Sequence, residues 1–551
     1  MLVVNRIISK SQEFLNRKSN SILSAAVIIG ISYLGSALLG LIRNHLLAAR
    51  FFGGMEADLD VYFAAFVIPD TVFQLLVVGA VSAAFIPVYQ EYCNKSNEAA
   101  NKLANTALTS IGFFLFIFSV IIVVFARPLA GLLAHFPPEK LDLMANLIRL
   151  MSVAQILFAV SAFLTGVLQS QRRFLIPALA PLLYNVGTIT GIYFLSSRYG
   201  IYSAAIGVVF GAFLHMAIQL PTAGALGYWP KINWDPHHPG VFSMLRLMPP
   251  RALALGIDQI ERWVAVNLAS LLAAGSISIF NFARQLYVLP ISLFGVSLSQ
   301  ASFPTLAQEA LLDDKTRFKG TLSKSILQIF FFALPASVLV LVLRVPLVRL
   351  AFGAKNFPWE ATLLTGKALA FLSLAIAPQA VTNTLTRALH ALKDTKTPLI
   401  IGFITMIVFV GMAYLLGFVT ERDVAGITLA MSIGNLLDFI LSYVAVRRKV
   451  GPLGISVRMI KMIFVSFFTG FSLWAPMRLL DQLIFDTTRT VPLITLTLVV
   501  SMVGFSVYLF FCWLFDIEEL QDVLDIVKKI GNWRKILASS DEVLETTPNS
   551  I

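Results

Sequence analysis

Long apolar runs recur along almost the whole chain, separated by short clusters of Gly, Pro and charge, and this feature most restricts what the sequence can fold into. A helix rises 1.5 Å per residue, so about 20 apolar residues span the hydrocarbon core of a bilayer. Of the 551 residues, 57% are hydrophobic and 13% charged, with a mean hydropathy of +0.81. Such a composition excludes a soluble globular chain and leaves little length for a separate soluble domain.

Reading the runs between their polar breaks predicts helices over 22–50, 58–90, 104–126, 142–168, 176–197 and 201–226. The polar stretch Tyr228 to Gly240 (YWPKINWDPHHPG) follows, then helices over 243–273, 277–306, 322–350, 362–390, 398–418 and 424–446. Two more runs lie near 457–478 and 491–515. The expected fold is an all-α integral membrane protein of about fourteen transmembrane helices. Its expected parts are an amphipathic N-terminus at 1–21, a six-helix lobe at 22–227, an inter-lobe loop at 228–242, a second six-helix lobe at 243–447, two extra helices within 448–515, and an interfacial helix and tail at 516–551.

Charge sets the orientation. Lys and Arg resist translocation and gather in short cytoplasmic loops, and alternate loops here differ by roughly twofold in Lys and Arg. The richer set includes Arg17 and Lys18, Lys95 and Lys102, Arg172 and Arg173, Lys315 to Lys319, Lys393 and Lys396, Arg447 to Lys449, and Lys528 and Lys529. Both termini are therefore expected in the cytoplasm, and the net charge of +12 reads as membrane orientation. Dispersal of these charges over many loops argues against a nucleic-acid partner. The first run exceeds signal-peptide length and reads as a permanent helix. Cys93 and Cys512 give no disulfide framework.

Segments about 220 residues apart match in order and spacing, which points to an internal repeat. Gly35 to Gly53 (GSALLGLIRNHLLAARFFG) parallels Gly256 to Gly275 (GIDQIERWVAVNLASLLAAG), and Gly79 to Glu91 (GAVSAAFIPVYQE) parallels Gly295 to Glu309 (GVSLSQASFPTLAQE). The segment Gly166 to Pro177 answers Arg387 to Pro398. With six spans in each unit, both enter the membrane in the same sense. Two parallel six-helix repeats of this kind can rock about a central cleft, which is the geometry of alternating access.

Ionisable residues within spans are costly, at about 2.5–3.5 kcal/mol near the bilayer centre, and mark candidate functional positions. Arg43 and Asp60 flank the FFGG turn at 51–54 at similar depth, and Asp70 follows Pro69. Asp258, Glu261 and Arg262 cluster on one predicted helix, with Arg284 on the next. Depth alone lets Arg43 meet Asp60 and Glu261 meet Arg284, while spacing lets Asp258 meet Arg262. Structural ion pairing is one reading of the cluster. The other is an electropositive cleft in which Arg43, Arg262 and Arg284 take an anionic head group, with Asp60 beside them in the binding site and Asp70, Asp258 and Glu261 as supporting charges. Arginine suits this role because its fork matches phosphate and keeps its charge when buried.

No GxxxxGK[ST], HExxH or GxSxG motif is present, so no enzymatic activity, catalytic residue or metal site is expected. His237 and His238 in DPHHPG lack further ligands and read as a solvated loop.

The N-terminal motifs resemble a known family. SALLGLIRNHLLAARFFGG, LDVYFAAFVIPD and GAVSAAFIP between Ser36 and Pro87, with LAAGSISIFNFARQLYVLP at 272–290, are similar to the peptidoglycan lipid II flippases (MurJ, or MviN) of the MATE-like multidrug/oligosaccharidyl-lipid/polysaccharide exporter superfamily. This resemblance implies fourteen helices in two lobes around a cationic cavity, with the last two helices forming a lipid-tail groove. It implies a flippase carrying lipid II, a polyprenyl-diphosphate-linked precursor, across the bacterial cytoplasmic membrane, with membrane lipids and cell-wall synthesis proteins as partners and no cofactor. Arg43 and Asp60 match family positions. Other expected charges are replaced: the family's first motif arginine falls on Ala37, its next acidic residue on Asn44, a helix-two arginine on Phe73, a glutamate on Val78 and a helix-eight arginine on Gln285. The span 398–418 offers no Asn or Asp, so the driving force stays open between membrane potential and a monovalent cation. A flippase for another lipid-linked oligosaccharide and an ion-coupled exporter of small amphipathic molecules are the alternatives.

Overall fold

The computed structural model describes residues 22–79, 84–235, 237–420, 423–483 and 489–521. Every regular element among them is helical. Among the described residues, eleven helical segments are long and apolar enough to cross a membrane, and a twelfth is counted if Trp359–Ser373 and Ile376–Ala391 form one broken span. The chain is thus an all-helical, multi-span membrane protein. Two further long helices, Ile22–Phe51 and Pro239–Ala269, stand outside that count. The second carries Arg246, Arg251, Asp258, Glu261 and Arg262, which lower its hydropathy. The expected amphipathic N-terminus at 1–21 and the tail beyond residue 521 lie outside the described residues.

The surfaces of the helices carry the signature of lipid as solvent. On Asn97–Val124 the large side chains Phe113, Phe116, Val120 and Val124 are exposed, although the helix is among the most apolar in the chain. Prolines shape two of the spans. Pro69 lies inside Glu56–Phe73, which passes into a π-helical turn at Gln74–Val78, and Pro290 directly precedes the π turn Ile291–Val296. A proline has no N–H and its ring crowds the turn before it, so each of these spans has a weakened hydrogen-bond ladder just ahead of its π turn.

The chain divides into two compact units. One comprises Met1–Leu289, Leu347–Leu372 and Thr395–Asp438, and the other Pro290–Pro346, Ser373–Asp394 and Phe439–Ile551. In the first unit, Leu175–Tyr199 and Tyr202–Ala217 meet backbone to backbone. A Cβ on Gly187 would lie 2.4 Å from the Cα of Gly211, and one on Gly191 would lie 2.4 Å from the Cα of Gly207. Both helices therefore present a Gly-xxx-Gly face, the arrangement that permits close packing where no hydrophobic force operates between helices. Gly191→Ala is expected to cost about 2 kcal/mol through overpacking. Gly112, with nothing within 4 Å of a Cβ, provides the contrast. Melting in detergent checks this: Gly191→Ala lowers the midpoint and Gly112→Ala does not.

In the second unit, Thr316–Val342 forms the centre, with Ile326, Ile329 and Phe331 buried along it. Ile376–Ala391 and Ser456–Leu483 pack on this helix, and Thr490–Leu514 packs on Ser456–Leu483. The hydroxyl of Tyr508 donates to the Phe331 carbonyl at 2.9 Å, which satisfies a buried polar group while fixing Thr490–Leu514.

Candidate functional site

Within the first unit a cavity of about 520 Å³ opens among Ile22–Phe51, Glu56–Phe73, Leu175–Tyr199, Pro239–Ala269 and Ser276–Pro290. Arg43, Arg262 and Arg284 all line it. Arg43 is distant in sequence from the other two and the three sit on three helices, so the fold brings together the cations that depth and composition singled out.

Each arginine is held differently. Arg43 donates through Nε to Asn44 Oδ1 and through Nη1 to Asn185 Oδ1, both at 3.2 Å. Its hydrogen-bond partners, which include the Tyr184 hydroxyl, are thus neutral groups that orient the guanidinium without cancelling its charge. Asn185 is itself fixed, its Nδ2 donating to the Ser36 carbonyl and hydroxyl and to the Pro181 carbonyl. Asn44 donates to Gln285 Oε1 on the facing helix, and Gly40 leaves room for the Gln285 amide, which would lie 3.5 Å from a Cβ there. The hydroxyls of Tyr62 and Tyr184 lie in the field of Arg43.

Arg262 instead forms an ion pair, Nη1 to Asp70 Oδ2 at 2.8 Å. The Thr71 hydroxyl reinforces this tie between Glu56–Phe73 and Pro239–Ala269: Trp263 Nε1 donates to it at 2.8 Å, while its own proton is shared between the Val67 carbonyl at 2.7 Å and Gln259 Oε1 at 3.2 Å. Pairing with Asp70 brings in a carboxylate 192 residues away in sequence. Arg284 lines the cavity with no hydrogen-bond partner among the described residues, within electrostatic reach of Arg262, Asp258 and Glu261. Asp258 and Glu261 do not line the cavity themselves.

Asp60 is placed apart from Arg43. It is 2% exposed, is absent from the cavity lining, and spends its carboxylate on the start of Ser276–Pro290. Gly275 N donates to Oδ2 at 2.7 Å, while Ser278 N and Oγ donate to Oδ1 at 2.8 and 2.6 Å. An anion at a helix N-terminus satisfies N–H groups that have no partner within the helix and meets the positive end of the dipole. Similar depth therefore translated into a helix cap, because backbone donors were nearer than Arg43. The adjoining turn is shaped by Gly53 and Gly54, with φ of +84° and +112°, whose N–H groups are bound by the Glu56 carboxylate. Asn44, Asn185, Gln285 and Tyr184 are cavity residues that charge-based reading passed over. Asn44 and Gln285 are marked in sequence as replacements of charged family positions, whereas only polarity within an apolar helix marks Asn185 and Tyr184.

Among the described residues, no group of three or more His, Cys, Asp or Glu could hold a metal ion.

The family model for the lipid II flippase MurJ matches residues 48–499. A curated relative, the probable lipid II flippase MurJ of Thermotoga maritima, is 28% identical over 490 residues, covering 89% of this chain and 96% of that protein. Among solved structures, lipid II flippase MurJ in an inward closed conformation matches with a TM-score of 0.74 and 26% identity, covering 90% of this chain and 100% of that one. An inward-facing multidrug resistance MATE family transporter of the MOP superfamily shares the fold, with a TM-score of 0.63 at 15% identity, over 78% of this chain and 99% of that one.

Proposed function

We propose that this chain, which belongs to the lipid II flippase MurJ family, moves lipid II from the inner to the outer leaflet of the bacterial cytoplasmic membrane, with its arginine-lined cavity receiving the diphosphate. Supporting this reading is one observation above all: Arg43, Arg262 and Arg284 line a single cavity, and amides rather than carboxylates hold Arg43. A diphosphate entering such a site meets guanidinium groups already oriented, in surroundings drier than bulk water where each contact is strengthened.

In this account the chain has fourteen spans, arranged as two parallel six-helix lobes and two extra helices that accept the lipid tail, and both termini are cytoplasmic. Asp60 and Asp70 act as positioning residues. Asp70 holds Arg262, while Asp60 fixes the start of the helix that carries Arg284. The positive-inside pattern puts the FFGG turn and the start of Ser276–Pro290 outside, so the Asp60 cap closes the outer end and must open for release. Translocation then follows from preferential binding of the anion to one arrangement of the lobes, with no covalent step. Coupling to membrane potential or to a monovalent cation supplies the direction.

Binding to the purified protein tests the reading. A short-chain polyprenyl diphosphate sugar is expected to bind about tenfold or more tightly than its monophosphate counterpart, because the second phosphate engages a further arginine. Equal affinity for the two would contradict diphosphate recognition.

A further inference from the structure

A second basic cleft lies wholly within the second unit. Its volume is about 400 Å³, and Lys319, Lys324 and Arg458 line it together with Ser323, Glu518 and Glu519. Three helix ends meet there. Lys319 is in the first turn of Thr316–Val342, Arg458 is in the first turn of Ser456–Leu483, and the glutamates follow the end of Thr490–Leu514. Two spans beginning and one ending at the same place put the cleft at a membrane interface, and the distribution of Lys and Arg puts that interface on the cytoplasmic side.

We propose that this cleft binds the phosphate of an anionic phospholipid from the inner leaflet, and that Glu518 holds the place of that phosphate when the cleft is empty. The cations come from two helices and converge on a cavity of head-group size, which is how basic pockets between transmembrane helices take anionic head groups. Lys319 is positioned by a tight fit against the chain: its Nζ would lie 3.0 Å from a Cβ on Gly451, whose φ is +88°. Arg458 reaches Glu518 at 2.8 Å and Glu519 at 3.5 Å. Glu519 is 7% exposed and belongs to the wall of the cleft, whereas Glu518 is 74% exposed and can leave at little cost.

A lipid rather than a soluble anion is favoured by what adjoins the cleft. Beyond Arg458, Ser456–Leu483 exposes Val457, Ile460, Phe464, Phe467 and Phe471 at spacings of three and four, giving one continuous apolar ridge that starts at the basic turn. A phosphate bound at Arg458 would lay its acyl chains along this ridge.

The test uses the full-length protein in phosphatidylcholine nanodiscs, with phosphatidylglycerol titrated in and inorganic phosphate added in a parallel series. Phosphatidylglycerol is expected to raise the melting temperature by several degrees, by preferential binding to the folded state. Lys319→Gln with Lys324→Gln should weaken that effect about tenfold or more in lipid concentration. Glu518→Gln should strengthen it, since the competing carboxylate loses its charge. The last result separates a ligand site from a structural ion pair, for which Glu518→Gln could only weaken the fold. A phosphatidylglycerol effect that persists in the double lysine variant, or that Glu518→Gln leaves unchanged, would overturn the proposal. Full protection by inorganic phosphate, with nothing added by phosphatidylglycerol, would overturn the lipid source.

Discussion

Replacing Arg43 and Arg284 together with glutamine is expected to weaken binding of a polyprenyl diphosphate about 100-fold while leaving the protein folded. Two charge-assisted hydrogen bonds to phosphate, at about 1.5 kcal/mol each, account for that factor. Stability is spared because of how each side chain is held. Arg43 is bound by the amide oxygens of Asn44 and Asn185, and Arg284 has no hydrogen-bond partner among the described residues. Removing both charges therefore strands no hydrogen-bonded carboxylate. Arg262→Gln is different, since it leaves Asp70 without its 2.8 Å partner and should lower stability as well as binding. Measuring melting temperature beside ligand affinity distinguishes the two cases. Unchanged affinity in the Arg43, Arg284 double variant would remove the cavity from the binding account.

Asp60→Leu carries the largest expected loss of stability. The side chain keeps roughly the same volume, but Gly275 N, Ser278 N and Ser278 Oγ lose their acceptor in a buried place. Stranded buried donors at about 1–3 kcal/mol each give a total of about 4 kcal/mol. Ser278→Ala removes only one bond and should cost about 1 kcal/mol. Thermal unfolding of the purified variants, compared in the same detergent, checks both values and their order. Loss of the cap also frees the start of Ser276–Pro290, so amide hydrogen exchange at Gly275 and Ser278 should be faster in Asp60→Leu. Equal stability of wild type and Asp60→Leu would contradict this role of the Asp60 cap.

Much of this architecture was legible from sequence because lipid imposes a simple rule. A span must be apolar and about 20 residues long, so its limits can be read without knowledge of tertiary contacts. Helices expected at 104–126 and 491–515 correspond to Asn97–Val124 and Thr490–Leu514. The same rule made Arg43, Arg262 and Arg284 visible, since a charge stands out against an apolar run. Partners were harder to read. Asp70 meets Arg262 across 192 residues, and Asn44 meets Gln285 across 241, and no local periodicity encodes either contact. Asp60 shows a further obstacle, because its partners include the backbone N–H groups of Gly275 and Ser278, and backbone donors leave no mark in a sequence.

The replacements relative to the family pattern also take on a physical meaning. Asn44 and Gln285 stand where the family resemblance implies an acidic residue and an arginine, and in this chain they bond to each other. A neutral amide pair thus occupies the place of two opposite charges, and the cavity keeps its arginines without both of those groups.

Rescue of bacteria depleted of their own lipid II flippase tests the central claim most directly. Expressed to equal levels in the inner membrane, the wild-type chain is expected to restore growth and cell shape, whereas the Arg43→Gln, Arg284→Gln double variant is not. Failure of a correctly inserted wild-type chain to rescue, or full rescue by the double variant, would contradict lipid II transport through this cavity.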